Sequence, residues 1–196
     1  MPTTLNDAAL DQLFRTARTY NRFLPQAIDD ATIAALYDLL KWGPTAFNAQ
    51  PARYIVLRTP EAKERLAPAL SSNNREKTVA APATVIVAHD KRFFDQLRQQ
   101  FPAYDAKPLF EANPALVDST AARNTALQGA YLILAARALG LDAGPMSGFN
   151  ADAVNQEFFP DGRHAVNFIV NLGHGDPATV FARGPRLSFE QAVTLL

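Results

Sequence analysis

Between Thr120 and Phe149, the spacing of hydrophobic residues predicts a long helix that runs into a turn at 144–148. The residues at three- and four-residue steps, the period of one helical face, are Leu127, Tyr131, Leu134, Ala138 and Leu141. From residue 126 onward the opposite face is also apolar, as expected of a helix buried in a core or across a subunit interface. Gly140 is a natural stop signal for this helix.

Hydrophobic periods and capping residues predict the other elements. We expect helices over 6–19, from Asp30 or Thr32 to Gly43, over 61–70 and over 151–158, and strands over 53–58, 84–88 and 165–172. In the first helix, Leu10, Leu13 and Phe14 are predicted to face inward. Residues 90–117 show no period, which indicates short helical turns in a mobile segment of the kind that covers a site.

Length and composition narrow the class of protein. For 196 residues we expect a single domain over 1–196 with a sizeable core. Lys and Arg (19) balance Asp and Glu (19), so neither nucleic acid nor an anionic membrane is expected as a partner. The lack of cysteine excludes disulfides and Cys-ligated metals. The first twenty residues have no signal-peptide core and Arg137 interrupts the long apolar helix, so we expect a cytoplasmic protein.

Two loops contain candidate binding groups. Arg18 and Arg22 stand four residues apart with hydroxyl and amide side chains between them; they could clamp a phosphate or form a solvated helix end. Asn48 and Gln50 lie between two prolines, in a setting that suits either a bound heterocycle or an ordinary polar loop. Each loop is ambiguous when taken alone.

Motifs for several common chemistries are missing. The chain has no G-x-S-x-G, no G-x-G-x-x-G after a strand and no P-loop. Its three histidines lack metal-ligand spacing and no carboxylate cluster supports a metal site. Because hydrogen-bond donors are plentiful in loops but no nucleophile or acid–base pair is evident, we predict no catalytic side chain. The chemistry is expected to belong to a bound organic cofactor.

Six short segments form a pattern that matches a known family. They are 18–23 (RTYNRF), 43–45 with 48–51 (GPT, NAQP), Asn74 with Lys77, 144–149 (GPMSGF), 171–177 (NLGHGDP) and 183–189 (RGPRLSF). In this order and at these spacings, the chain resembles the FMN-dependent nitroreductase superfamily over essentially its whole length. More narrowly, it resembles the malonic semialdehyde reductase branch associated with bacterial pyrimidine utilisation.

The resemblance implies a fold and a quaternary structure. The fold would be α+β, a nitroreductase-like mixed sheet wrapped by helices. Two chains would form an intertwined homodimer, with the long helix in the dimer core and two FMN molecules at the interface. The uncovered apolar faces of that helix would then be buried against the second subunit.

The resemblance also assigns cofactor-binding residues, all of which bind FMN. Arg18, Thr19, Tyr20 and Arg22 would contact its phosphate, ribityl chain and ring edge, and Arg183 and Arg186 would complete the phosphate clamp. Asn74 would bond the pyrimidine side of the ring, with Lys77 nearby. The residues that would lie along the flavin are Pro44, Thr45, Ala46 and Asn48 from the other subunit, and Pro145, Met146, Ser147 and Gly148, whose amides would lie near N5.

The implied reaction is a ping-pong hydride transfer through flavin N5, with NADPH or NADH as donor and malonic semialdehyde reduced to 3-hydroxypropionate. Many family members have Glu in place of Ser147 and an aromatic residue in place of Ala52, whereas Met146 and Phe149 fit the semialdehyde reductase branch. Two alternatives stay open. The protein could be a general NAD(P)H nitro or quinone reductase, or a flavin-binding protein without turnover.

Overall fold

A four-stranded sheet forms the centre of the computed structural model, which describes residues 3–196. Its strands are β1 (Ala52–Leu57), β2 (Ala83–Asp90), β3 (Asp142–Met146) and β4 (His164–Gly173), in the order β1-β2-β4-β3. The α-helices are α1 (Asp7–Leu10), α2 (Asp30–Leu40), α3 (Pro60–Leu66), α4 (Ser72–Ala80), α5 (Leu97–Gln100), α6 (Lys107–Glu111), α7 (Pro114–Ala138), α8 (Ala151–Phe158) and α9 (Phe189–Ala192). The α+β class is therefore confirmed.

Every strand pair in the described part of the chain is antiparallel, so the expectation of a mixed sheet is wrong there. The long helix α7 returns the chain across the sheet, and β2 and β3 consequently run in the same direction. They would form a parallel pair as neighbours, but β4 lies between them. Ile169 of β4 is opposite Ile86 of β2 on one side and Met146 of β3 on the other.

Helices cover both faces of the sheet, as the unbroken apolar run of β2 predicts. On one face, Val85 and Val87 pack with Leu36 of α2 and Leu132 of α7. On the other face, Ile86 packs in a second core with residues of α3 and α8, among them Leu66 and Val154. Both faces of β2 are therefore buried inside the protein.

The long helix α7 begins earlier than predicted, and it ends where Gly140 predicts, because Gly140 follows the C-cap Leu139 with a left-handed φ of 77°. It is capped by Asn113, whose side chain accepts from the backbone N–H of Leu116. One side packs in the core through Leu132 and Ala136, but Leu127 on the other side is 44% exposed and Tyr131 is 37% exposed. Residues 3–196 therefore bury one face of this helix and leave its second apolar face partly exposed.

The predicted turn at 144–148 is wrong, because its first three residues belong to β3. Gly144 and Pro145 are turn residues by composition, yet Pro145 lies exposed on an edge strand opposite Val170. A proline is tolerated on an edge strand, where its missing N–H breaks no ladder bond.

Two further differences concern the helices. The polar stretch 71–77 lies outside the predicted helices and strands. In the structure most of it belongs to α4, which buries Asn74 and Thr78 one turn apart. The first helix is shorter than predicted: Asn6 caps α1, and a π-helical turn follows over Asp11–Arg15. That wider turn rotates the following side chains, and Phe14 is 52% exposed instead of facing inward.

The segment between β2 and α7 consists of short helical turns, as predicted: a 3₁₀ turn over Phe93–Gln96, then α5 and α6. Phe93 and Phe110 are buried here and pack against Val117 and Ala121 of α7. The predicted mobility of this segment stays a prediction.

Candidate functional site

Four arginines surround a cavity of about 340 Å³ where the first segment, the end of α7 and the C-terminal tail meet. Its lining, called here the arginine cavity, consists of Phe14, Ala17, Arg18, Thr19, Arg137, Arg183, Gly184 and Arg186. Arg18 donates to the carbonyl of Phe181, and Arg183 donates to the carbonyls of Arg15 and Ala17 at 2.8 and 2.9 Å. These bonds join the tail to the first segment, so residues far apart in sequence form one site.

The arginines of this cavity have no carboxylate in direct contact within residues 3–196, although the charge of Asp142 acts on Arg137 from a greater distance. Among residues 3–196, no carboxylate forms an ion pair with Arg18, Arg137, Arg183 or Arg186. The hydrogen bonds of Arg186 go to the neighbouring carbonyls of Gly184 and Pro185. Several guanidinium groups without counter-charges favour an anion with several oxygens, such as a phosphate.

Arg22 and Tyr20 are predicted site residues that do not line the arginine cavity. The Arg22 side chain is exposed, and its Nη2 is 3.7 Å from Oε1 of Glu76 on α4. The Tyr20 ring lies flat against Gly175, where an added Cβ would be 2.3 Å from Tyr20 Cγ. Burial, with a further contribution from Asp142, raises the pKa of Tyr20. The structure therefore places Tyr20 in packing between two chain segments.

A second group of predicted residues comes together where α4 meets the loop after β3. Asn74 donates from Nδ2 to the carbonyl of Gly148 at 2.9 Å, and the backbone N–H of Ser71 donates to the same oxygen at 3.0 Å. Lys77 lies one turn along α4 and donates to Oδ1 of Asn21 at 3.4 Å. Burial lowers the pKa of Lys77. An amide, an ammonium group and a loop backbone thus share one end of the sheet.

In the 145–148 segment, the side chains point in different directions. Pro145, Ser147 and Gly148 are exposed, whereas Met146 is buried and its Sδ accepts from Thr78 Oγ1 at 3.5 Å. Any contact of Met146 with a ligand at this surface must therefore come from its backbone.

Asn171 packs beneath α4 and contacts this group, but it is not among the predicted site residues. Its side chain is buried, its Nδ2 donates to Thr78 Oγ1 at 3.2 Å, and its Oδ1 accepts from Thr84 Oγ1 at 2.9 Å. The sequence motif at 171–177 could have indicated this residue, because Asn171 is its first position. Arg137 was also missed, although it was the one charge noted within the apolar part of α7.

The remaining predicted residues lie on the loop between α2 and β1, which α7 holds at both ends. The Ala46 N–H donates to Asn124 Oδ1 at 2.8 Å, and the Ala52 N–H donates to Gln128 Oε1 at 3.0 Å. The loop backbone is left-handed at Phe47, Asn48 and Gln50, with φ of 54°, 49° and 42°. Such conformations are unfavourable for side-chain-bearing residues and occur where the surroundings enforce them.

Pro44, Thr45, Ala46 and Asn48 are thus ordered, but within the described residues no hydrogen bond or ion pair joins them to the other two groups. Thr45 Oγ1 accepts from the N–H of Gln50 at 3.1 Å, and Asn48 Nδ2 donates to the carbonyl of Gln100 at 3.1 Å. The loop therefore contacts the segment between β2 and α7.

Comparison with known proteins decides the family. The sequence profile described as "Nitroreductase family" matches residues 14–174, most of the chain. The chain belongs to the nitroreductase family. A Rhodopseudomonas palustris protein provisionally named NADH dehydrogenase/NAD(P)H nitroreductase is 55% identical over 196 residues, which cover 100% of both chains. A Ralstonia nicotianae protein with the same provisional name is 52% identical over the full length of both chains.

Solved structures share the nitroreductase fold of this chain. A Bacillus subtilis protein provisionally described as a nitroreductase has a TM-score of 0.87 and 23% identity, over 97% of this chain and 100% of that one. An Exiguobacterium sibiricum protein, solved in complex with FMN, has a TM-score of 0.86 and 20% identity over 100% of both chains. At these identities the comparison shows the fold alone.

Two kinds of feature are absent from the part of the chain that the structure describes. No helix over residues 3–196 is both long and apolar enough to cross a membrane. The same residues contain no group of three or more His, Cys, Asp and Glu side chains that could hold a metal ion.

Proposed function

We propose that this nitroreductase-family protein is an FMN-dependent NAD(P)H oxidoreductase whose substrate is malonic semialdehyde, reduced to 3-hydroxypropionate. The observation that carries the cofactor assignment is the arginine cavity, whose positive charge has no acidic partner among residues 3–196. The names of the relatives that are more than 50% identical support the nicotinamide donor.

The residues present fit FMN at both of its ends. A terminal phosphate carries close to two negative charges and three acceptor oxygens at neutral pH, which matches a set of unpaired guanidinium groups. Near the Asn74–Gly148 contact, Asn74 offers an acceptor oxygen and a second amide hydrogen, and Lys77 offers a positive charge. When bound, FMN would supply the redox chemistry, accepting hydride from NAD(P)H and passing it to the substrate.

The side chains of this protein would bind and orient, because no nucleophile or acid–base pair lies in the site. Arg18, Arg183 and Arg186 would hold the phosphate. Asn74 and Lys77 would bond the polar edge of the ring, and the exposed backbone at Ser147 and Gly148 would lie along it. Asn171 would keep α4 at its distance from β4 through Thr78. The pyrimidine half of the ring would gain negative charge on reduction, and Lys77 is placed to stabilise it.

The choice of malonic semialdehyde rests on the sequence of the site. Ser147 is short and exposed, whereas the resemblance implies Glu at this position in many nitroreductases, so a small anionic substrate would meet no fixed negative charge here. Ala52 is buried at the start of β1, and its N–H donates to Gln128 Oε1. The resemblance implies an aromatic side chain at this position in many nitroreductases, whereas this chain has a methyl group. Both differences separate this chain from enzymes that reduce bulky nitroaromatics.

We propose a homodimer in which the second subunit completes the site. Residues 181–196 are exposed throughout, and their apolar side chains include Leu187, Phe189 and Leu195. The exposed face of α7 at Leu127 and Tyr131 needs cover as well. A cavity of about 710 Å³ between α2 and β1, lined largely by apolar side chains, could receive the tail of a second copy. In that arrangement the Pro44–Asn48 loop would come to the flavin of the other subunit.

The second candidate, a general NAD(P)H nitro or quinone reductase, shares the fold and the cofactor and is favoured by the names of the relatives. Steady-state rates separate the two candidates. The purified protein should contain non-covalent FMN, and kcat/KM should be higher for malonic semialdehyde than for a nitroaromatic or a quinone. The reverse order would establish the second candidate. Bound flavin that stays oxidised under anaerobic NADH and NADPH would identify a flavin-binding protein without turnover.

A further inference from the structure

Arg137 is the one charged residue in the second half of α7, from Ala126 to Ala138, and it lies in the wall of the arginine cavity. Its Nη1 donates to the carbonyl of Leu13 at 2.9 Å, and its own carbonyl accepts from Gln12 Nε2 at 2.7 Å. These two bonds join the last turn of α7 to the first segment of the chain. The position of the guanidinium group is therefore fixed by the core helix rather than by a loop.

The remaining donors of Arg137 lack partners in the described chain. Its Nε is buried without a hydrogen bond and is closed to the cavity, so Nη2, which makes no hydrogen bond with residues 3–196, is the donor left for a ligand. A buried donor without a partner lowers stability, so natural proteins seldom contain one. Burial lowers the pKa of Arg137; the charge of Asp142 opposes this effect and that of Arg183 adds to it. The group is thus a partly buried cation that lies close to another cation.

The other three arginines are held differently. Arg18, Arg183 and Arg186 lie outside regular helices and strands, and the two tail arginines belong to a fully exposed segment. A flexible arginine loses side-chain freedom when it binds, whereas one already fixed loses less. Of the four arginines of the cavity, Arg137 alone is carried by a regular helix, which fixes its backbone.

We infer that Arg137 is a fourth phosphate-binding residue, whose guanidinium group, carried by α7, binds the terminal phosphate monoester of the cofactor beside Arg18, Arg183 and Arg186. This inference rests on the proposed FMN-dependent function. It assigns a cofactor contact to a residue outside the segments 18–23 and 183–189 that resemble the family. The competing explanation is structural: Arg137 would serve only to tie α7 to Leu13, and the arginine cavity would bind phosphate without it.

The test compares FMN with riboflavin, which lacks the phosphate. Arg137→Gln removes the charge and keeps a donor for the Leu13 carbonyl, and Arg137→Met keeps only the aliphatic length. Arg98→Met is the matched control, because Arg98 is exposed on α5 and has no ion pair within residues 3–196. Dissociation constants would be measured for both ligands with each apoprotein. We expect both Arg137 variants to raise the FMN dissociation constant about tenfold or more. The riboflavin constant should stay within about twofold, and Arg98→Met should change neither.

Each other outcome has a distinct meaning. An equal loss for FMN and riboflavin would show that Arg137 is structural and would overturn the inference. The inference would also be overturned if both Arg137 variants still preferred FMN to riboflavin while Arg186→Ala abolished that preference. In that case the proposed function would stand. A parent protein that binds neither ligand, or binds both equally, would instead overturn the proposed function. Riboflavin binding also shows whether each variant is folded. If Arg137→Met does not fold, Arg137→Gln alone provides the test.

Discussion

The side-chain amide of Asn74 donates a hydrogen bond of 2.9 Å to the backbone carbonyl of Gly148. This contact ties α4 to the loop after β3, and it requires a glycine, because an added Cβ on Gly148 would lie 2.6 Å from Asn74 Nδ2. One amide hydrogen is used, while Oδ1 and the second hydrogen have no partner among residues 3–196. Asn74 can therefore hold the loop and hydrogen-bond to a flavin ring at the same time.

The first prediction concerns the reduction potential of the proposed flavin. Asn74→Leu keeps much of the volume and removes the amide, so the reduced ring, which carries more negative charge, should lose more stabilisation than the oxidised ring. Losing one bond of about 1.5 kcal/mol should lower the potential by about 30 mV. A redox titration against a reference dye measures this. The exposed neighbour offers the control Asn73→Leu, which should leave the potential unchanged. Weaker FMN binding at an unaltered potential would show that Asn74 serves affinity alone.

The second prediction concerns Arg186, whose present hydrogen bonds go only to the adjacent Gly184 and Pro185 carbonyls. Its charge is therefore available to a ligand. Arg186→Ala should weaken FMN binding by about 1.5–3 kcal/mol, the usual contribution of a hydrogen bond to a charged group. Riboflavin should bind parent and variant equally. Calorimetric titration of both ligands gives the answer, and a matching loss for riboflavin would place the role of Arg186 elsewhere.

The third prediction concerns the dimer. A chain truncated after Arg186 loses the exposed apolar residues of the tail but keeps all four arginines of the cavity. We expect it to sediment as a monomer, or as a far weaker dimer, at concentrations where the full chain is dimeric, because the apolar tail would no longer be buried in the second subunit. Sedimentation velocity over a dilution series measures this. A full-length chain that is a folded, flavin-loaded monomer at low concentration would disprove the dimer itself.

The fourth prediction concerns Asp90, a carboxylate whose side chain is only 2% exposed between Arg53 and Arg163. Burial alone raises its pKa, but the bonds from Arg163 and the Arg92 backbone, with the charge of Arg53, outweigh that effect and lower the pKa. A lowered pKa in the folded state stabilises the protein above the unfolded pKa of about 3.9 and ceases to do so as pH falls through the folded value.

Asp90→Asn should therefore reduce the free energy of unfolding at pH 7 by about 3 kcal/mol. We expect the low end of the range for a broken buried ion pair, because Arg53 and Arg163 both reach solvent. The difference between parent and variant should shrink as the pH falls below about 4. Urea unfolding at several pH values gives both quantities, with the exposed Asp118→Asn as control. A difference that is independent of pH would mean that the ionised carboxylate is not the stabilising species.

The fifth prediction concerns Gly175, whose Cα is covered by the ring of Tyr20. Gly175→Ala would place a Cβ 2.3–2.5 Å from three ring carbons, so the ring or the backbone must shift. We expect a loss of about 1–3 kcal/mol in the free energy of unfolding, as for other overpacked sites. Gly184→Ala, where the nearest atom is a flexible Arg186 nitrogen at 3.9 Å, is the control. Equal stability of the two variants would show that Tyr20 moves aside without cost.

Local signals in the sequence determined much of this protein. The apolar run of β2, the caps at Asn6 and Asn150 and the period of α7 each act over a few residues, and each produced an element near its predicted place. The six spaced segments pointed to the nitroreductase family, which the comparisons confirmed. They also named Arg18, Arg183 and Arg186, although nothing in the spacing shows that the 164 residues between Arg18 and Arg183 return these arginines to one cavity.

Only the tertiary structure decided the rest, because those features depend on partners distant in sequence. The polar stretch at 71–77 is a helix because Asn74 and Thr78 find buried partners at Gly148 and Asn171. Pro145 continues a strand because β3 is at the edge of the sheet, where a missing N–H breaks no ladder bond. Arg137 joins three other arginines because the end of α7 packs against the first segment of the chain. Sequence fixes local preferences and spacing; the burial and pairing of polar groups follow from which segments meet in space.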